Sequence, residues 1–75
     1  MGSNMRAKTA NLKGTVAGRL LVQASVHPRG YVHVGPHTRS GQLLVKQGLA
    51  EYITSAGTDM QITEEGVEVA KELAT

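Results

Sequence analysis

One segment of the 75-residue chain carries most of the information about its fold: Ser40-Gly-Gln-Leu-Leu-Val-Lys-Gln-Gly-Leu-Ala-Glu-Tyr-Ile-Thr-Ser-Ala-Gly-Thr-Asp-Met-Gln-Ile-Thr-Glu-Glu-Gly66. Leu44 lies four residues before Gly48, and Leu49 follows directly. A glycine in the left-handed conformation ends many helices, and the apolar residue after it often folds back onto the last turn. The sequence therefore predicts that a helix ends at Gly48 and that a strand follows at once.

Two short runs after this glycine predict a β-hairpin. Residues 50–54 and 59–63 contain β-branched and aromatic residues, and Gly57 between them permits a tight reversal. Residues 31–34, Tyr-Val-His-Val, alternate as a strand does and are able to pair with the hairpin. The expected sheet is antiparallel, with two or three strands.

Three helices are predicted, over residues 12–25, 38–47 and 64–73. Apolar residues recur every four positions in the first helix, and Thr9 or Asn11 is the candidate for its cap. Thr63 is expected to cap the last helix in the same way, followed by acidic residues in the first turn. The predicted core consists of Leu20, Leu44, Leu49, Ile62, Val67, Ala70 and Leu73.

The order of these signals resembles one family. Gly48-Leu49 and Ile62-Thr63-Glu64-Glu65-Gly66 match the end of the recognition helix and the passage from the wing to the last helix in small bacterial and phage winged helix-turn-helix DNA-binding domains, including the multidrug-resistance-regulator type. The resemblance covers residues 31–73, and its specific part is 41–66. It implies an α+β fold: a reduced winged helix-turn-helix of three helices and an antiparallel wing sheet. The family's helix before the recognition helix is missing, because only residues 26–37 fill that space.

Charge is divided unevenly along the chain. Residues 1–48 contain seven lysines and arginines and no acidic residue, a formal charge of +7. Residues 49–75 contain six acidic residues and one lysine, a formal charge of −5. A basic half that includes the predicted recognition helix suits a polyanion such as DNA.

Candidate DNA contacts follow from this helix and its basic surroundings. Arg39 and Gln42 have the side chains that contact guanine and adenine edges, whereas Lys46 suits a phosphate. An ordinary exposed helix face shows the same residue types. The full set of candidates is Thr38, Arg39, Gln42, Lys46, Arg29, His37, Arg6 and Lys8.

We therefore expect a sequence-specific double-stranded DNA-binding protein, either a small transcriptional regulator or a phage or plasmid accessory factor. The alternative is a winged-helix protein interaction module that inhibits or bridges a partner. The predicted wing tip, residues 55–58, has no basic residue, so we expect it to position the protein at most.

The sequence gives little support to an enzyme, a zinc site or a single-stranded RNA-binding protein. No phosphate-binding loop or nucleophile motif indicates an enzyme, and no cofactor is implied. His27, His33 and His37 lack the close pairing and the carboxylate of a zinc site. Tyr31 and Tyr52 are the only aromatic residues, too few for a single-stranded RNA platform.

Length and composition indicate one domain without disulfides, because the chain has no cysteine. So small a domain often gains core by association, and we expect a homodimer. Residues 1–11 are interpreted as a cloning remnant (residues 1–4) and a flexible basic arm, and residues 12–75 as the winged-helix domain. No apolar run approaches the roughly 20 residues that span a bilayer, so we expect a cytoplasmic protein.

Overall fold

The computed structural model describes the backbone of residues 2–74 and the side chains of residues 7–74. This part of the chain forms four helices and one three-stranded sheet. In chain order they are α1 (Gly2–Leu12), α2 (Val16–Val26), β1 (Tyr31–His33), α3 (Thr38–Lys46), β2 (Ala50–Tyr52), β3 (Asp59–Ile62) and α4 (Glu64–Leu73). The α+β class is confirmed, but the described residues contain four helices where three were predicted.

The sheet has the strand order β1, β3, β2, and both pairs are antiparallel. Strand β3 lies in the middle, with Met60 opposite Val32 on one side and opposite Tyr52 on the other. The predicted hairpin is confirmed, and so is the pairing of the 31–34 segment with it. Strand β3 is therefore hydrogen-bonded along both of its edges, to β1 and to β2.

The end of α3 has the geometry that the sequence predicts. Gly48 adopts a φ of 75°, its amide donates to the carbonyl of Val45 at 3.0 Å, and the amide of Leu49 donates to that of Leu44 at 2.9 Å. These two bonds satisfy carbonyls that the helix end leaves without partners. Leu44 and Leu49 are both fully buried, so the cap also joins α3 to the core.

The start of α4 is also confirmed. The hydroxyl of Thr63 accepts from the amide of Gly66 at 3.1 Å and donates to the carbonyl of Gly48 at 2.7 Å. One threonine therefore caps α4 and ties it to the end of α3. Glu64 and Glu65 occupy the first turn, where the helix dipole favours negative charge.

The first predicted helix, 12–25, is wrong at its start. Gly14 adopts a φ of 77° and separates two helices, and Thr15 caps the second by accepting from the amide of Gly18 at 3.0 Å. The predicted caps Thr9 and Asn11 lie inside α1 instead. A glycine in the left-handed region followed by threonine ends one helix and begins another, and this signal outweighed the continuous apolar period.

Helix α1 occupies most of the segment that we interpreted as a remnant and a flexible arm. It packs against α4, and its last residue, Leu12, is fully buried. The ammonium of Lys8 donates to the carbonyl of Gln47 at 2.9 Å and forms an ion pair with Glu65. Lys8 thus links α1, the end of α3 and the start of α4.

The core lies between the helices and the inner face of the sheet. Leu20, Leu44, Leu49 and Ala70 are buried as predicted, while Ile62 and Leu73 are partly buried against the same cluster. Val67 lies outside the core cluster, because α4 turns Val69 inward instead. The remaining buried apolar residues are Leu12, Ala17, Leu21, Ala24, Val32, Val34, Ala50 and Met60.

Helices α2 and α3 are joined by residues 27–37, which hold turns and strand β1 but no helix. A helix-turn-helix pair in the strict sense is therefore missing at this point of the chain. None of the helices within residues 2–74 combines the length and the apolar character needed to cross a lipid bilayer.

Candidate nucleic-acid interface

Helix α3 packs closely against the sheet at Gly41. A Cβ atom on Gly41 would lie 3.1 Å from Val34 Cγ1 and 3.3 Å from the sulfur of Met60, so the helix backbone approaches the sheet closely. Leu44, one turn later, is fully buried. These two positions fix the rotation of α3 about its axis and therefore decide which side chains face outward.

The outward face of α3 carries the predicted DNA contacts. Arg39, Gln42 and Lys46 are exposed, and none of the three side chains has a hydrogen-bond or ion-pair partner among the described residues. Their spacing of three and then four residues forms one stripe about 10 Å long. Thr38 is exposed at the start of this stripe, and Leu43, 39% exposed, lies beside it.

The start of α3 borders a depression in the surface that we call the α2–α3 cleft. His37 is the N-cap residue of α3, and its side chain makes no capping hydrogen bond. The cleft has a volume of about 280 Å³. Its lining consists of Val16, Arg19, Leu20 and Gln23 from α2 together with residues 33–37. The helix therefore begins beside an arginine and a glutamine of its neighbour.

The remaining candidates do not join this surface. Arg29 is exposed in the turn before β1, where its carbonyl accepts from Gln61 Nε2 at 3.1 Å. That turn lies at the end of β1 away from His33 and α3. Lys8 is paired with Glu65 on the α1 and α4 side. The side chain of Arg6 lies outside the described residues.

The loop between β2 and β3 contains the segment that the sequence analysis predicted as a wing tip. It spans residues 53–58 and turns at Gly57, which has a φ of 71°. At its base, His33 Nδ1 lies 2.9 Å from a carboxylate oxygen of Asp59, and the hydroxyl of Thr58 donates to the other oxygen at 3.1 Å. The hydrogen bond from His33 lowers the pKa of Asp59, with Thr58 as a further cause.

The three histidines have different contacts. His27 stacks on Tyr31 with ring centroids 5.5 Å apart, and its Nδ1 accepts from the amide of Arg29 at 3.1 Å. His33 faces Asp59, whereas His37 begins α3. Among the residues whose side chains are described, no three His, Cys, Asp or Glu side chains lie close enough together to hold a metal ion.

Acidic residues are concentrated on α4, next to the C-terminal end of α3. Glu64, Glu65 and Glu68 surround the half-buried Val67 on an open surface. The Lys8 ammonium, which contacts Glu65, also contacts the last turn of α3 through Gln47. Arg19 therefore lies beside the N-terminal end of α3, whereas the Lys8–Glu65 ion pair lies beside its C-terminal end.

Sequence reasoning missed Arg19 and Gln23 as members of this surface. They are four residues apart on the polar side of α2, and that spacing alone indicates that they share a face. Nothing in the sequence places that face beside α3, because the relation depends on how α2 packs against α3 and β1.

No family model, curated protein or solved structure matches this chain. The functional interpretation therefore depends on the geometry of the exposed face of α3, the α2–α3 cleft and the charge around them.

Proposed function

We propose that this protein binds double-stranded DNA with α3 in the major groove, as a reduced winged-helix domain. In this proposal Arg39 and Gln42 contact base edges, and Lys46 contacts a phosphate. The hairpin of β2 and β3 corresponds to the wing and lies beside the duplex. Sequence-specific binding by such a domain suits a small transcriptional regulator or a phage or plasmid accessory factor.

One observation carries the proposal: the exposed stripe of α3 consists of Arg39, Gln42 and Lys46, all without partners in the described structure. Two cations and an amide that make no hydrogen bond or ion pair with the described residues are available to an external acceptor. Arginine presents a fork to guanine and glutamine pairs with adenine, while lysine acts as a point charge on phosphate. The stripe is long enough to span about three base pairs.

The surroundings support the same assignment. Residues 1–48, which include all of α3, contain no acidic residue, so the helix itself carries no negative side chain that would oppose a phosphate. The wing tip, Ser55 to Thr58, offers hydroxyl and amide donors, which suit a single phosphate contact. Major-groove binding with so small a contact area is expected to gain from two copies on adjacent half-sites.

The test begins with selection of a preferred duplex from a random pool, followed by titration of that duplex and a scrambled one. Arg39→Ala is expected to lose about 1 to 3 kcal/mol on the preferred duplex and much less on the scrambled one. Lys46→Ala is expected to weaken both equally. Lys71→Ala, which removes the same charge from α4, is the matched control and should leave both affinities within about twofold of the parent.

Exposed Leu43 on the same face favours one alternative, a protein interaction module. If Arg39→Ala and Lys46→Ala bind both duplexes as the parent does, or if the parent binds neither duplex at low salt, the DNA proposal fails and this alternative takes its place.

A further inference from the structure

We infer that the α2–α3 cleft binds one sugar-phosphate segment of the DNA strand that flanks the major groove, with Arg19 and Gln23 as its principal contacts. This inference deepens the proposed function and rests on it. It assigns a binding role to helix α2, which the resemblance and the charge pattern left without one.

The chemistry of the cleft fits a phosphodiester together with its sugar. Arg19 and Gln23 are exposed on consecutive turns of α2, and neither side chain has an internal partner among the described residues. A guanidinium and a side-chain amide four residues apart can both donate to one phosphate. No carboxylate is among the residues that line the cleft.

The floor of the cleft is apolar. Leu20 and Val34 are buried beneath it, 5% and 1% exposed, while Val16 and Pro36 lie along its sides. A free inorganic phosphate makes no use of such a floor, whereas the deoxyribose next to a phosphodiester places carbon atoms against it. Charged donors at the rim with carbon surface below therefore favour a strand of nucleic acid over a small anion.

The position of the cleft suits the proposed docking of α3. His37 belongs both to the cleft and to the start of α3, two residues before Arg39. A strand that passes the N-terminal end of α3 in the major groove therefore passes Arg19 as well. The Asp59 carboxylate on β3 contacts His33 and Thr58, and among the described residues it forms no ion pair with Arg19.

Arg19→Ala is expected to weaken binding of the preferred and the scrambled duplex alike, by about 5- to 10-fold, and to reduce the salt slope by about 0.9. Arg19→Lys keeps the charge and should restore the slope. Gln23→Ala should weaken both duplexes by a smaller factor with the slope unchanged. Lys71→Ala again serves as the control, and thermal melts check that each variant folds, as expected for exposed positions.

A second measurement follows the Arg19 Nε and Gln23 side-chain NMR signals during titration with duplex and, separately, with inorganic phosphate. Both signals are expected to shift with duplex and to stay unmoved with phosphate. Equal shifts with phosphate alone would overturn the assignment to a DNA strand. If Arg39→Ala loses affinity while Arg19→Ala does not, the cleft inference fails and the proposed function stands. If neither variant loses affinity, both fail.

Discussion

Asp59 and His33 join two neighbouring strands at the end of the sheet next to the loop at residues 53–58. The ring nitrogen and the carboxylate oxygen are 2.9 Å apart, and the Thr58 hydroxyl holds the second oxygen. The two side chains are directly opposite each other on β1 and β3, where cross-strand pairs interact most strongly. This contact fixes the base of the loop rather than its tip.

The pair makes stability depend on pH in a defined direction. Because the pKa of Asp59 is lowered from its ordinary value of 3.8, first by the hydrogen bond from His33, the folded state binds this proton less readily than the unfolded state. The contribution is therefore present above about pH 3.8 and is lost as pH falls through the folded pKa. Asp59→Asn should flatten the decline of the unfolding free energy between about pH 5 and pH 2.

Urea unfolding at several pH values measures this decline. His33→Ala is the matched variant, since it removes the first cause of the lowered pKa and should flatten the curve in the same way. A curve for Asp59→Asn that runs parallel to the parent's would show that the pair has no part in acid unfolding.

At the scale of the elements, local capping signals predicted the structure best. Gly48 with Leu49, and Thr63 three residues before Gly66, each define a hydrogen-bonding pattern within a few residues, so the end of α3 and the start of α4 are as predicted. Gly14 and Thr15 carry a signal of the same kind that the apolar period obscured. Capping residues act through bonds to their own neighbours and therefore need no knowledge of the rest of the fold.

The packing of one element against another could not be predicted from such local signals. Arg39, Gln42 and Lys46 share a face because the helical period places them there, and the sequence predicted that stripe. Which part of α2 lies beside α3 depends on the packing of α2 against α3 and β1, so Arg19 was missed. Whether Val67 or Val69 is buried depends on the rotation of α4 about its axis, and contacts with residues distant in sequence determine that rotation.

Helix α1 is the element for which structure and expectation differ most, and a single substitution tests it. Leu12 is fully buried at its end, so Leu12→Ala is expected to lower the unfolding free energy by about 2 to 5 kcal/mol, through lost burial and the cavity left behind. The exposed neighbour Asn11 gives the control, since Asn11→Ala should change stability by less than about 0.5 kcal/mol. Equal unfolding midpoints for the two variants would mean that α1 does not contribute to the core.

At the scale of the whole molecule, positive charge is more widely spread than the proposed interface. Residues 1–48 contain seven lysines and arginines. Among those whose side chains the structure describes, Arg19, Arg39 and Lys46 lie on the exposed stripe of α3 or in the α2–α3 cleft. Lys8 is paired with Glu65, and Arg29 lies at the other end of β1. The number of basic residues in the sequence therefore does not give the number of phosphates that the protein contacts.

The dependence of affinity on salt counts those phosphates. Each neutralised phosphate contributes about −0.9 to the slope of log affinity against log salt, so the two proposed phosphate contacts, Arg19 and Lys46, give about −1.8 and seven contacts give about −6.3. Between 50 and 200 mM salt the interface with two contacts is expected to lose about 12-fold in affinity, whereas seven contacts would lose about 6,000-fold. Titration of the preferred duplex at four or more salt concentrations gives the slope directly. A slope near −6 would mean that the duplex also contacts α1 or the turn at Arg29. A slope near zero would exclude phosphate neutralisation by Arg19 and Lys46, because two cations cannot neutralise phosphates of a duplex without displacing its counterions.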